Sequence, residues 1–346
     1  MSKLLGKILY EKNSHDKLRP ASVTKVMSLL LIMEALDRGD ITLETKIPCS
    51  ENASSMGGSQ IWLDSTEELT VNEMLKAICV VSANDCTIAM AEYLAGSEEL
   101  FVQKMNEKAK ELGMNDTTFK NCHGIDEDGH VTSSYDISLM SRELLQNHPN
   151  ITNYTTIWMD SLRDGKSELV NTNKLIRTYD GATGLKTGST SLALYNLSAS
   201  ATRNDLSLIA VVLRAPTPKV RFSEAKLLLD YGFSNYTFKK IATKGDIFQN
   251  ISINKGTINN INLVFENDSG VLVKKNDSSE IIQEVELNNN IEAPISAGDQ
   301  LGIIKYYINN ELVSTVNLVS DTDVSKRSLL NTFNYISSNW INLLRN

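Results

Sequence analysis

Residues 22–38 read SVTKVMSLLLIMEALDR, with Arg19-Pro20-Ala21 before them and Gly39 directly after. Apolar side chains fall nearly all round a 3.6-residue period, so the segment predicts a helix buried on every face and stopped by Gly39. Such a helix belongs at the centre of a globular core. Its first residues also carry chemistry: Ser22 and Lys25 stand three apart, and residues three apart are neighbours on one helix face.

Working outward, residues 71–81, 86–94 and 98–112 are further helical stretches, the last with Leu100, Phe101, Met105, Ala109 and Leu112 near helical spacing. After residue 188 the pattern changes. Residues 195–201 and 206–213 alternate or run apolar as strands do, and 222–231 returns to helix before Gly232. From residue 236 the composition shifts to Asn, Ile and Val, with short turns at Asn254-Lys255-Gly256, Asp268-Ser269-Gly270 and Asn309-Asn310, as in a β sandwich. The expected division is a mixed α/β (α+β) domain over 1–235, a small all-β sandwich over 236–325 and a tail over 326–346.

The 346 residues suffice for two domains, and 41% hydrophobic with 22% charged residues is ordinary for a globular protein. A net charge of -8 and a pI near 5.2 leave no electrostatic footprint for nucleic acid. Cys49, Cys79, Cys86 and Cys122 show no Cys-x-x-Cys spacing and read as buried thiols. Cys79, Cys86, Cys122, His123 and His130 do not fall at zinc-site spacing either, so neither a metal nor another cofactor is expected. No run of about 18 apolar residues suggests a spanning helix. Residues 1–9 hold two lysines but no sustained apolar run of the secretory kind.

The Ser-x-x-Lys spacing alone is weak, because Ser14 with Lys17, Ser223 with Lys226 and Ser252 with Lys255 share it. Ser22 differs in opening the most hydrophobic helix, where amides and dipole favour negative charge on a nucleophile or oxyanion; the place also suits a plain N-cap serine. Lys25 can act as a base only when neutral, and at an ordinary pKa of about 10.4 roughly one in 2,500 is neutral at pH 7. Burial and a second cation, for which Lys186 is the candidate, would lower it. A lysine reaching to the surface is the alternative.

Ser82-Ala83-Asn84 offers a hydroxyl and a carboxamide suited to a proton relay and an amide contact, although Ser50-Glu51-Asn52 and Ser337-Ser338-Asn339 share the pattern and a capping turn would explain it. Lys186-Thr187-Gly188 occurs once, after Gly181 and Gly184. It reads either as a β-turn or as an edge strand that holds a carboxylate and pairs with an extended peptide.

In order and approximate spacing, Ser22 to Lys25, Ser82 to Asn84 and Lys186 to Gly188 resemble the motif set of the penicillin-recognising serine enzymes. Beyond the motifs, Gly6-Lys7-Ile8-Leu9-Tyr10-Glu11-Lys12-Asn13, Pro20-Ala21-Ser22, Val80-Val81, Ser82 to Asp85 and Arg221 through Phe233 look like the low-molecular-mass D-alanyl-D-alanine carboxypeptidases. The resemblance covers most of the chain. It implies a penicillin-binding, β-lactamase-like transpeptidase fold for 1–235, with an opening strand shortened before Gly6-Lys7. It implies Ser22 as nucleophile, Lys25 as its base and Ser82 as proton relay, with Asn84 on the substrate amide. Lys186, Thr187 and Gly188 would line the carboxylate region with Arg221, and the amides of Ser22 and Ser189 would form an oxyanion hole. His123 and Gly124 match a family loop, where packing is the implied role.

The partners so implied are a peptidoglycan stem peptide ending in D-Ala-D-Ala and β-lactam antibiotics as covalent inhibitors. The implied location is the extracytoplasmic face of the bacterial membrane, with a leader outside this sequence. A D,D-endopeptidase shares the motifs, and a β-lactam-binding protein without turnover would share the acylation. A serine β-lactamase would need an acid such as Glu168 in Glu168-Leu169-Val170-Asn171, which lies where the carboxypeptidases have Asn171-Thr172-Asn173-Lys174-Leu175. In the tail, Leu329, Phe333, Ile336, Trp340 and Leu343 draw an apolar stripe, and the only formal charges are Lys326, Arg327 and Arg345. That is the pattern of a helix lying on a membrane surface; a helix docked on the β domain is the other reading.

Overall fold

The computed structural model describes residues 1–276 and 279–328 and falls into two units, Met1–Ser234 and a second that begins at Asn235. In the first, the apolar run opens as a 3-10 turn over Ala21–Thr24 and becomes α-helical only at Lys25, giving α1 (Lys25–Arg38). Val26, Met27, Leu29, Leu30, Ile32, Met33 and Ala35 of α1 are all buried. Gly39 ends it in the left-handed region at φ 78°, where its N–H can return to the Ala35 and Leu36 carbonyls.

A small antiparallel pair follows, β1 (Lys46–Pro48) with β2 (Glu68–Thr70), flanking α2 (Glu51–Ser54). Thr70 and Glu73 form a reciprocal capping box that starts α3 (Val71–Val80). Then come α4 (Asn84–Ala95), α5 (Glu98–Glu111) and α6 (Ser134–Asn147), which surround α1. Two short pieces, α7 (Thr152–Thr155) and the hairpin β3 (Met159–Leu162) with β4 (Ser167–Val170), lead through α8 (Leu175–Thr178) to the sheet.

That sheet is antiparallel and ordered β5 (Ala182–Thr190), β6 (Leu194–Arg203), β7 (Leu206–Ala215). The opening segment adds one bridge, Ser2 to Leu208, with the Met1 ammonium donating to the Ile209 carbonyl at 2.8 Å, and no strand. The last helix, α9 (Pro218–Asn235), starts earlier than residue 222 because Pro218 fits the first turn and the Thr217 hydroxyl accepts from the Val220 amide.

The named strands of the second unit all pair antiparallel. A five-stranded sheet runs β12 (Ile281–Leu287), β13 (Gln300–Ile308), β14 (Glu311–Ser320), β10 (Asn260–Phe265), β9 (Ile247–Ser252), and a pair joins β11 (Ser269–Lys274) to β8 (Tyr236–Ala242). Val271 and Val273 of the pair share one core with Leu263, Ile304, Tyr306 and Leu318 of the larger sheet. The amphipathic stripe from Leu329 to Leu343 lies outside the described residues.

Candidate active site

A 3-10 turn has three residues per turn, so side chains at i and i+3 stack directly over each other. Ser22 and Lys25 are placed this way, and Lys25 Nζ lies 3.2 Å from Ser22 Oγ. Lys25 is fully buried and makes two shorter contacts, donating to Asn84 Oδ1 at 2.6 Å and to the His123 carbonyl at 2.7 Å. Burial holds its pKa well below the ordinary lysine value, and the charge of Lys186 pushes it the same way.

The turn is fixed from several directions. His130 Nδ1 accepts from the Lys120 amide at 3.0 Å, so its proton sits on Nε2 and is donated to Thr24 Oγ1 at 2.8 Å. Burial keeps that imidazole neutral, with a pKa near about 4. Asn196 Nδ2 donates to the Arg19 carbonyl at 2.8 Å. Two glycines pass so close that a side chain is excluded: a Cβ on Gly124 would stand 1.9 Å from the Ala21 carbonyl oxygen, and one on Gly188 would stand 2.9 Å from the Ser22 amide nitrogen.

Ser82 has a left-handed φ of 68°, strained for a residue with a side chain, and its buried hydroxyl has no partner among the described residues. The next residues anchor the loop over residues 57–63. Asn84 donates from Nδ2 to the Gly57 carbonyl at 2.7 Å and from its amide to the Ser59 carbonyl at 2.7 Å. Asp85, fully buried, accepts from the Ile61 and Leu63 amides on one oxygen, at 3.0 and 3.1 Å, and from the Cys86 amide on the other.

Lys186 and Thr187 lie mid-strand on β5, paired with Ser198 and Leu197, and β5 packs against the Ala21–Thr24 turn. Lys186 is buried and donates to the Thr187 carbonyl at 3.1 Å; burial brings its pKa down to about 7. Thr187 Oγ1 donates to Thr172 Oγ1 at 2.7 Å. Arg221 of α9 reaches the Gly188 and Asn196 carbonyls at 3.4 and 3.3 Å, stacks on Phe222 at 4.5 Å, and leaves Nε without a partner among the described residues. Burial lowers its pKa to about 10. Ser189 is exposed on β5, one residue before the strand's end.

The three motifs thus meet around one turn, while the competing Ser-x-x-Lys pairs do not. Ser14 bonds Glu11, Ser223 bonds the Val220 carbonyl and Ser252 bonds Asn260, all at exposed positions. Glu168 is an exposed residue of β4 opposite Ser161. Among the described residues no cluster of His, Cys, Asp and Glu could hold a metal.

One neighbour escaped the sequence reading. Glu98, at the first position of α5, accepts from the Cys122 amide at 3.0 Å and lies 3.4 Å from His123 Nε2. His123 Nδ1 accepts from the Ile125 amide, and burial drives the imidazole pKa to about 3, so the Glu98 contact is a long polar approach to a neutral ring and not an ion pair. With Ser28 Oγ donating to the Cys122 carbonyl, Glu98 fixes the segment whose His123 carbonyl holds Lys25. The only available signal was a first-turn acid, which the helix dipole explains equally well.

Comparison with known proteins shows the family. Residues 1–217 match the family model described as D-alanyl-D-alanine carboxypeptidase, and residues 236–326 match that of the penicillin-binding protein 5 C-terminal domain. The chain is 43% identical to the D-alanyl-D-alanine carboxypeptidase DacF of Bacillus subtilis over 339 residues, covering 97% of this chain and 87% of the relative. Penicillin-binding protein 5 from Haemophilus influenzae superposes with a TM-score of 0.76 at 30% identity, over 94% of this chain and 96% of that one. The ampicillin-bound form of penicillin-binding protein D2 from Listeria monocytogenes gives a TM-score of 0.61 at 30% identity, over 67% of this chain and 94% of its own.

Proposed function

The chain belongs to the D-alanyl-D-alanine carboxypeptidase family, and on that premise we propose that it removes the terminal D-alanine of a peptidoglycan stem peptide with Ser22 as nucleophile and Lys25 as base. It is a serine peptidase, and β-lactams acylate the same hydroxyl. The observation that carries the assignment of roles is the environment of Lys25 Nζ. A neutral amine has two N–H bonds and one lone pair. The carbonyl oxygens of Asn84 and His123 can only accept, so they take the two protons at 2.6 and 2.7 Å, and the lone pair is left for the Ser22 hydroxyl at 3.2 Å. Burial beside Lys186 supplies the low pKa that keeps the amine neutral.

The stem peptide lies along the outer edge of β5 as an added strand. Its terminal carboxylate meets Lys186, Thr187 and Arg221, and the Ser22 and Ser189 amides receive the carbonyl oxygen as it becomes an oxyanion. Asn84, whose amide already binds Lys25 and Gly57, shares its group with the substrate amide. As Ser22 Oγ bonds to the penultimate carbonyl carbon, its proton passes to Lys25. That proton is passed on from Lys25 through the unpartnered Ser82 hydroxyl to the departing D-alanine nitrogen, so the C–N bond breaks with the leaving group neutral and Lys25 is neutral again. Water then attacks the ester, Lys25 takes its proton, and Ser22 is restored.

A wall substrate puts this work on the outer face of the bacterial membrane. The stripe from Leu329 to Leu343, with Lys326, Arg327 and Arg345, is suited to hold the enzyme on that surface. D-alanine release from a pentapeptide ending in D-Ala-D-Ala tests the reaction, and intact mass after penicillin exposure tests the nucleophile. Ser22→Ala should lose both release and adduct; an adduct in that variant would put the nucleophile elsewhere.

A further inference from the structure

Trp62 is 76% exposed, yet its backbone is among the most tightly held near the site. The peptide groups on either side are gripped from within by Asp85, through the Ile61 and Leu63 amides, and Ile61 and Leu63 are themselves buried. They are gripped again by Arg163, which donates to the Ile61 carbonyl at 2.9 Å and the Trp62 carbonyl at 3.3 Å. Arg163 is in turn fixed by Glu67, at 2.6 and 2.7 Å. Between these clamps Trp62 adopts φ 56°, a left-handed conformation that is a genuine outlier for a bulky side chain. The strain exposes the indole in place of burying it, so it adds nothing to the core. Strain of this kind, held by the surroundings at a functional site, points to a use for the side chain.

The surroundings narrow that use. Asp85 follows Asn84, which bonds Lys25, so the loop carrying Trp62 is hydrogen-bonded to the wall of the catalytic groove. Its neighbours Gly57, Gly58, Ser59, Asp64 and Ser65 are exposed and carry no large apolar group. A flat aromatic face flanked along the chain by small and polar residues offers little apolar area to a protein patch. It matches the C–H face of a sugar ring, whose hydroxyls would meet those polar neighbours, and a rigid indole loses little entropy on contact.

We propose that Trp62 is a saccharide-stacking platform that binds a sugar ring of the wall polymer beside the groove that takes its peptide. This rests on the reading of the groove as a stem-peptide site, and a binding measurement separates the two. The chain has three tryptophans, so the Trp62 indole N–H signal can be assigned in a nitrogen-15 spectrum by its loss in Trp62→Phe. Titration with an N-acetylglucosamine trimer should shift that signal, with or without turnover. The ratio of kcat/KM on a disaccharide-pentapeptide to that on the bare pentapeptide should fall about tenfold in Trp62→Ala, equivalent to about 1.4 kcal/mol. Trp62→Phe should keep part of the preference. Trp62→Gly, free to adopt positive φ, should raise Tm while losing the preference. An indole signal unmoved by the trimer, or equal losses on both substrates in Trp62→Ala, overturns the platform. A shifted signal in a protein without carboxypeptidase activity upholds it and sinks the reading of the groove.

Discussion

The N-terminal unit buries Lys25, Asp85, His123, His130, Asp136, His148, Lys186 and Arg221, whereas the buried polar side chains of the second unit, among the described residues, are Ser269, Ser314 and Ser320. Both have continuous apolar cores. Burying a charge costs several kcal/mol unless it is paired, and several of these groups are held by carbonyl oxygens and peptide amides without an opposite charge. Lys25 and Lys186 are of this kind and lie close enough for the charge of Lys186 to lower the Lys25 pKa, so their burial marks the place of the chemistry. The β unit buries no Asp, Glu, His, Lys or Arg side chain among its described residues and is held by apolar packing.

That contrast is most directly broken at Lys25. Lys25→Ala should slow acylation by penicillin by roughly 10² to 10⁴-fold, the usual worth of a positioned base, with rates read by stopped-flow or mass spectrometry. Acylation at the wild-type rate would make Lys25 a structural lysine and erase the distinction. The matching change in the β unit is Ile304→Ala, which empties a fully buried position. It should lower the stability of that unit by about 2–5 kcal/mol in hydrogen exchange or denaturant, yet leave penicillin acylation unchanged.

The pH dependence sharpens the comparison further. Lys186 has a folded pKa of about 7 against an ordinary 10.5. Between those values the unfolded chain holds a proton that the folded one lacks, so stability rises with pH across that window and is flat on either side. Lys186→Met should remove up to about 1.4 kcal/mol per pH unit of that rise between pH 7.5 and 9.5, in urea titrations. An unchanged slope would mean that Lys186 stays charged. The smallest effect belongs to Glu98→Ala, where losing the bond to the Cys122 amide should cost about 1 kcal/mol in acylation, roughly fivefold, with Glu98→Gln largely restoring it. Glu99→Ala removes a carboxylate from the same first turn and controls for helix stability; equal losses in both would reduce Glu98 to a cap.

What the sequence disclosed follows the same line. The run from Val26 to Ala35, the glycine stop at Gly39 and the β composition after Tyr236 are all side-chain patterns, and they located the elements to within a few residues. The start of α1 was misplaced because a 3-10 turn and an α-helix put Ser22 and Lys25 on the same face, and spacing cannot separate them. The motifs supplied Ser22, Lys25, Ser82, Asn84, Lys186 and Thr187 as candidates. They could not show that Lys25 is held by the His123 carbonyl, since a backbone oxygen has no residue type. Glu98, Asp85 and Thr172 act on backbone or on other hydroxyls across long separations in the chain, and nothing local distinguishes them from surface acids and a loop threonine.

Gly124 and Gly188 approach the Ala21–Thr24 turn from two separate segments, each leaving no space for a methyl group. Neither has a functional group, yet the position of the nucleophile is moulded between their bare backbones. In a population of random variants sorted by survival of the wall, alanine at either glycine should disappear almost as completely as alanine at Ser22. Escape from penicillin by reshaping the turn is closed at the same two positions, because any side chain that displaces the turn for the drug displaces it for the peptide.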